Sequence, residues 1–369
     1  MRFVCDTNEL NTALSIVSRA LAVRSTKPIL EGILFESCDE GLRLTCTDLA
    51  LGIETTLPAT FSEEGRAVLP GKLLCEIIRK LPGGSCDIAI GERMQATIRC
   101  ASIRTTITGF DPVEYPELPQ VEGESFSLPQ NTLKDMIGRT LFAIAQDESR
   151  PILTGCLMEI NHTEMRVVAL DGFRLALRKE NVQGPNAEIN AVVGGRVLGD
   201  IAKILADTEE EASLCFTKTH IRLNIGQTRI VARLLEGEFI NYKHIIPTEK
   251  ATQVKVSRKL LLESSERAAL LAREGKNNLI KMDFNIDQLI LTSNAEIGDV
   301  FEVIPIENQG DPIKIAFNSK FFIDALKVID RDEMSIELTT SVGPAVIVPA
   351  DGSDEFIYLI LPVRIAEEA

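Results

Sequence analysis

The chain is predicted to fold as three tandem copies of one α+β domain, and three separate periodicities carry that reading. PGKLLCEIIRKL at 70–81, GGRVLGDIAKIL at 194–205 and NSKFFIDALKVI at 318–329 align without gaps at a constant spacing of 124 residues. KPILEGILFE at 27–36 matches RPILTGCLME at 150–159, with NNLIKMDF at 277–284 as a looser third copy. LTCTD, VVALD and LILTSN end on Asp48, Asp171 and Asn294, 123 residues apart each time. Solenoid units run to roughly 20–50 residues, so copies of this length are domains with cores of their own.

Each element follows from its pattern. In the 70–81 segment Leu74, Ile77, Ile78 and Leu81 fall at i, i+3, i+4 and i+7, as do Leu198, Ile201, Ala202 and Leu205, then Phe322, Ala325, Leu326 and Ile329. That spacing is one face of an amphipathic helix. The KPIL and RPIL segments are rich in apolar β-formers and read as strands, and the acid or amide ending the third motif reads as a turn. A first helix in each copy is expected around VSRAL (17–21), IGRTL (137–141) and SERAAL (265–270), aligned on Arg19, Arg139 and Arg267. Their offsets of 120 and 128 imply small insertions nearby. YPELP at 115–119 and GEFINYKHIIP at 237–247 close the first two copies, giving domains at 1–120, 121–247 and 248–369, each with two helices and antiparallel sheets of short strands.

Of the 369 residues, 45% are hydrophobic and 25% charged, the balance of a folded chain. With 39 Lys and Arg against 54 Asp and Glu the net charge is −15, which excludes a broad basic surface for nucleic acid, so any such contact must be local. The eight cysteines form no C-x-x-C pair and no Cys/His cluster at zinc spacing, so no structural metal and no cofactor are expected, and the compartment is read as a reducing cytosol. MRFVCDTNEL does not resemble a signal peptide, and no window offers the ~18 apolar residues of a membrane span, so a soluble cytoplasmic protein is expected.

The repeated helix also carries charge. Lys72, Arg196 and Lys320 are equivalent, as are Arg79, Lys203 and Lys327, so each copy sets two bases seven residues, about two turns, apart on one face. Glu76, Asp200 and Asp324 lie between them at helical ion-pair spacing, which offers plain solvated pairs as one account. The other account is a concave surface lined by the three helices and turned to a polyanion, with sequence-independent, salt-sensitive contact.

RSTKPIL at 24–30, QDESRPIL at 146–153, LDGFRL at 170–175 and LPVRI at 361–365, together with the triplication, resemble the bacterial DNA polymerase III beta subunit family, the sliding clamps, over the whole chain. The resemblance implies three DNA-clamp domains per protomer and a head-to-tail homodimer, closed as a six-domain ring with helices inside and sheets outside. It implies a polymerase processivity factor encircling double-stranded DNA near the nucleoid. The implied partners are a clamp loader, the replicative polymerase's alpha-type subunit and other proteins bearing a clamp motif.

By the same resemblance DNA contacts come from Arg24, Gln146 and Arg150, together with Lys72, Arg79, Arg196, Lys203, Lys320 and Lys327. The implied peptide pocket maps to Leu153, Leu170, Gly172, Phe173, Arg174, Leu175, Ile240, His244, Ile245, Asn318, Phe321, Val342, Leu359, Pro362, Val363 and Arg364. Phe173, His244 and Leu170 stand where relatives carry His, Arg and Thr, which makes this pocket more apolar than theirs. Ile107, Leu270 and Leu271 are the implied dimer contacts.

Two other classes compete with this reading. Asp48, Asp147, Glu148 and Asp171 are acids of the kind an acid–base or metal-assisted enzyme uses. Only three His residues (162, 220 and 244) accompany them, with no G-x-S-x-G or Walker loop. Asp48 and Asp171 recur at the repeat period, as turn residues do, so no enzyme is expected. A scaffold that never meets DNA fits the net charge but gives no reason for six basic positions out of six.

Overall fold

A computed structural model describes residues 1–275 and 278–364; Asn277 of the third NNLIKMDF segment and the terminal Ile365–Ala369 lie outside the described residues. The chain divides into two compact units, one formed by 1–131 with 203–234 and the other by 132–202 with 235–369. The second sequence copy is therefore shared between units.

Among the described residues there are six α-helices, two per copy: α1 (Thr7–Val17), α2 (Gly71–Arg79), α3 (Gln130–Gly138), α4 (Gly195–Ile204), α5 (Arg258–Ala272) and α6 (Ser319–Val328). The starts of α1, α5 and α6 follow from capping. The Asp6 carboxylate accepts from the Asn8 and Glu9 amides, Ser257 accepts from Leu260, and Asn318 accepts from Lys320. On the triplicated helices Leu74 and Ile78, Leu198 and Ile201, and Phe322, Ala325 and Leu326 are buried, which is the predicted stripe.

The first unit holds a five-stranded antiparallel sheet and an eight-stranded one. In the latter, Thr228–Arg233 of the second copy pairs with Leu51–Leu57 of the first, Ile230 opposite Ile53. The second unit holds a twelve-stranded sheet in which Phe356–Ile360, the last strand among the described residues, lies between Arg174–Asn181 and Ala345–Pro349. The two junctions are built alike: the Arg233 amide donates to the Ala50 carbonyl at 2.9 Å, and the Leu361 amide to the Phe173 carbonyl at 2.8 Å.

Three expectations are corrected. Residues Pro28–Glu31 and Pro151–Thr154 are short 3-10 turns, and their strands begin only at Gly32 and Gly155. Proline fixes φ and lacks a donor, so it opens a helical turn rather than a ladder. The glycines that follow are required by close approach: a Cβ on Gly32 would stand 2.3 Å from Val68 Cγ1, and one on Gly155 2.4 Å from the Val193 carbonyl oxygen. The aligned Arg19 and Arg139 fall just beyond α1 and α3, whereas Arg267 is inside the longer α5. The intrahelical ion pairs that helical spacing offered as one account are not formed in the first and third copies. Among the described residues Lys72, Glu76 and Arg79 make none, Asp324 pairs with Arg174 at 2.7 Å, and Lys327 pairs with Glu266 of α5 at 2.9 Å.

Candidate functional site

All sixteen pocket residues belong to the second unit, and a tight turn organises them. Between Glu164–Leu170 and Arg174–Asn181 the chain reverses at Asp171, whose Oδ1 accepts from the amides of Phe173 (2.9 Å) and Arg174 (3.1 Å). Gly172 sits at φ +93°, where a side chain would be strained. The turn leaves Phe173 outside at 60% exposure and draws Arg174 inside at 7%. Arg174 then donates from Nε to Asp171 Oδ2 at 2.9 Å and from Nη1 to Asp324 Oδ2 at 2.7 Å.

Its guanidinium lies 4.6 Å from the centroid of Phe321 and 5.4 Å from that of Phe142. Phe173 stacks on Phe321 at 6.0 Å and 22°. Phe173, Phe321 and Arg174 thus form one pile, the cation bound to the ring face and its charge answered by two carboxylates.

Leu153, Leu170, Leu175 and Leu359 are buried with Tyr242 and Val346 in one apolar cluster. These four leucines form a floor rather than a rim. Ile240, Ile245 and Val342 are exposed, as is His244, and with Phe173 they supply the surface a peptide could touch. The tail is held by backbone: Leu361 to Phe173, and the Val363 amide to the Ala316 carbonyl, both at 2.8 Å. Pro362 and Val363 are half-buried and Arg364 is exposed. Asn318 has committed its side-chain oxygen to capping α6.

Tyr242 anchors the far side. Its hydroxyl donates to Glu159, and burial pushes the phenol pKa up, with the Glu159 carboxylate adding to the shift. Phe142, Asp171, Asp324, Tyr242 and Val346 are missing from the sequence-based pocket. Tyr242 could have been found, since it recurs as Tyr115, buried under the first copy with its hydroxyl on the Gly32 and Thr45 carbonyls.

The six helix bases are all exposed, as are Arg24, Gln146 and Arg150 on their loops. Arg150 also borders the pocket turn: a Cβ on Gly172 would lie 3.6 Å from its Nη2. Of the three proposed dimer residues, Leu270 is exposed and Leu271 half-buried, but Ile107 is only 7% exposed and faces inward on its strand. Its side chain is spent on its own core.

Three family models match in succession: the DNA polymerase III beta subunit N-terminal domain over residues 1–119, the central domain over 127–241 and the C-terminal domain over 243–364. The beta sliding clamp of Staphylococcus aureus (strain Mu50) is 34% identical over 375 residues, covering 99% of both chains.

The chain belongs to the DNA polymerase III beta subunit family.

The clamp of Halalkalibacterium halodurans is 36% identical over 379 residues, covering 99% of this chain and 100% of its own. Among solved structures, the Bacillus subtilis sliding clamp superposes with a TM-score of 0.96 at 32% identity, covering 99% of this chain and 100% of that one. A Pseudomonas aeruginosa clamp solved bound to griselimycin gives 0.94 at 27%, with the same coverage. The fold is thus three beta-clamp domains of α+β type with antiparallel sheets, and the role is that of the family, a DNA polymerase processivity factor. Among the described residues no helix is long and apolar enough to cross a membrane.

Proposed function

We propose that two copies of this clamp close head to tail into a six-domain ring around duplex DNA. The Phe173 pocket then captures peptides from the replicative polymerase's alpha-type subunit, the clamp loader and other clamp-motif proteins. The observation that carries the DNA half of this reading is the triplicated helix. Each of α2, α4 and α6 buries its apolar stripe and leaves both of its bases in solvent, in a chain of net charge −15. Local positive faces of this kind suit sequence-independent contact with phosphates.

Two open sheet edges support the ring. In Ile103–Thr108 the Gly109 amide bonds to Met94, so residues 103, 105 and 107 turn their backbone groups to the neighbouring strand and Arg104, Thr106 and Thr108 turn theirs outward. In Gly298–Gly310 the Ile306 amide bonds to Asp287, while Thr252–Ser257 covers the other side only from Ile306 onward. Asp299, Phe301 and Val303 therefore present a second free edge, with Phe301 62% and Val303 52% exposed. The edges match in length, and Arg104 and Asp299 carry opposite charges on them. An edge pairing between copies would continue the sheet across the seam, with Leu270 and Leu271 beside it.

Such a ring acts in the cytoplasm, at the nucleoid, without chemistry of its own. It tethers a polymerase by raising its effective concentration at the primer end. The test is retention of the loaded protein on nicked circular DNA before and after one restriction cut. Loss on linearisation is expected; equal retention on both forms would overturn the topological reading.

A further inference from the structure

The five-stranded sheet of the first unit carries three cysteines side by side. Cys5 on Arg2–Asp6 stands opposite Cys86 on Ser85–Ile90, and Cys86 stands opposite Cys100 on Gln95–Cys100. All three are buried and share the inward face.

The ladder pattern distinguishes the two pairs. The Thr7 amide donates to Gly84, so by alternation Cys5 and Cys86 are a hydrogen-bonded pair. The Gly91 amide donates to Gln95, so Cys86 and Cys100 are a non-hydrogen-bonded pair. Non-hydrogen-bonded partners have Cα atoms about 4.5 Å apart and the closer side chains. That lies within the roughly 4.4–6.8 Å span of a disulfide. The end of the row is also reachable: Cys5, Gly84 and Ser85 line an open surface cavity of about 560 Å³.

We propose that Cys86 and Cys100 form a redox modification site, closing into a cross-strand disulfide when the oxidant is a low-molecular-weight disulfide. One cysteine sulfur attacks the oxidant, forming a mixed disulfide and releasing one small thiol. The second cysteine then displaces the remaining half. The protein pair gives up two electrons and two protons, and the oxidant departs as two thiols. Cys100 Sγ rests 3.4 Å from the Pro82 carbonyl and 3.7 Å from the Thr7 hydroxyl, contacts the bond would replace. Burial pushes Cys86 up to about 12, which leaves little thiolate and slows its attack on the oxidant. The bond would pin the hairpin that carries the open edge at Ile103–Thr108. Any effect on dimer closure rests on the ring reading above.

The experiment exposes the full chain, folded, to oxidised glutathione, then denatures, alkylates and digests it for peptide mass mapping. A Cys86–Cys100 linkage lost on dithiothreitol is expected. It should be absent in Cys86→Ala and Cys100→Ala and retained in Cys5→Ala. A dominant Cys46–Cys75 or Cys5–Cys86 linkage, persistent glutathione adducts, or no linkage in the folded wild-type protein would overturn the proposal. The wild-type map decides alone if a variant fails to fold. Dimer mass before and after oxidation is read separately, so failure of the ring reading leaves the linkage result intact.

Discussion

Replacing Arg174 by Ala tests whether the pocket is built on the arginine pile. The guanidinium is 7% exposed, bonded to Asp171 at 2.9 Å and Asp324 at 2.7 Å, and faces Phe321 at 4.6 Å. Its removal leaves Asp171, with a side chain only 13% exposed, without its cation. Breaking a buried pair from one side costs about 3–5 kcal/mol. Asp324 is 29% exposed and recovers part of its solvation, so the lower end is expected, about 3 kcal/mol.

With two units the chain need not unfold in one step, so the assay is native-state hydrogen exchange at the amides of Arg174–Asn181 and Phe356–Ile360. A loss of about 3 kcal/mol is roughly a hundredfold fall in protection. Arg174→Lys keeps the charge but cannot span both carboxylates and should fall between. Protection within about threefold of wild type in Arg174→Ala would refute the view that this residue holds the two copies' elements together.

Charge reversal at Lys72, Arg79, Arg196 and Lys203, all exposed, should weaken loading and retention on DNA with dimer mass unchanged; unaltered loading at moderate salt would count against the helix-face reading. Deleting residues from Pro362 onward removes the Val363 to Ala316 bond yet leaves Phe356–Ile360 in place, so the protein should stay folded and lose peptide binding by calorimetry. Asp330 is held below the usual carboxylate range chiefly by the hydrogen bond from Arg139, whose Nη2 lies 2.6 Å away. A depressed carboxyl stabilises the fold above its unfolded pKa near 4 and loses that contribution as pH falls through the folded value. The difference in urea midpoint between wild type and Asp330→Asn should therefore be present at neutral pH and shrink below about pH 4.

The triplicated helix was legible because its signal is local: Leu74 and Ile78 are buried and Lys72 and Arg79 exposed, as a 3.6-residue period dictates. The Asp48 and Asp171 turns were legible for the same reason, each side chain bonding amides two and three residues ahead. The Arg174 pile was not, because Phe142, Asp171 and the α6 residues Phe321 and Asp324 converge from three places in sequence and no spacing encodes that. In the third copy the ion pairs offered by helical spacing failed on the same point. Asp324 is at the right distance from both Lys320 and Lys327 along its helix, but a buried guanidinium from another strand outcompetes two solvated ammonium groups. Ile107 shows the same limit: its side chain is buried in its own domain, and the open edge at Ile103–Thr108 is made by backbone groups of its neighbours.

The position of Phe356–Ile360 bears on how the chain is made. Among the described residues this strand follows every other strand in the sequence, yet it lies inside its sheet, between Arg174–Asn181 and Ala345–Pro349. Until it emerges, the nascent chain holds two unsatisfied strand edges and an uncovered apolar floor, the surfaces that recruit chaperones or seed misassembly. A stop codon anywhere before Phe356 would then yield a product prone to aggregate rather than a shorter working protein. Completion of the sheet thus waits on Phe356–Ile360, which makes this strand the point at which incomplete synthesis shows.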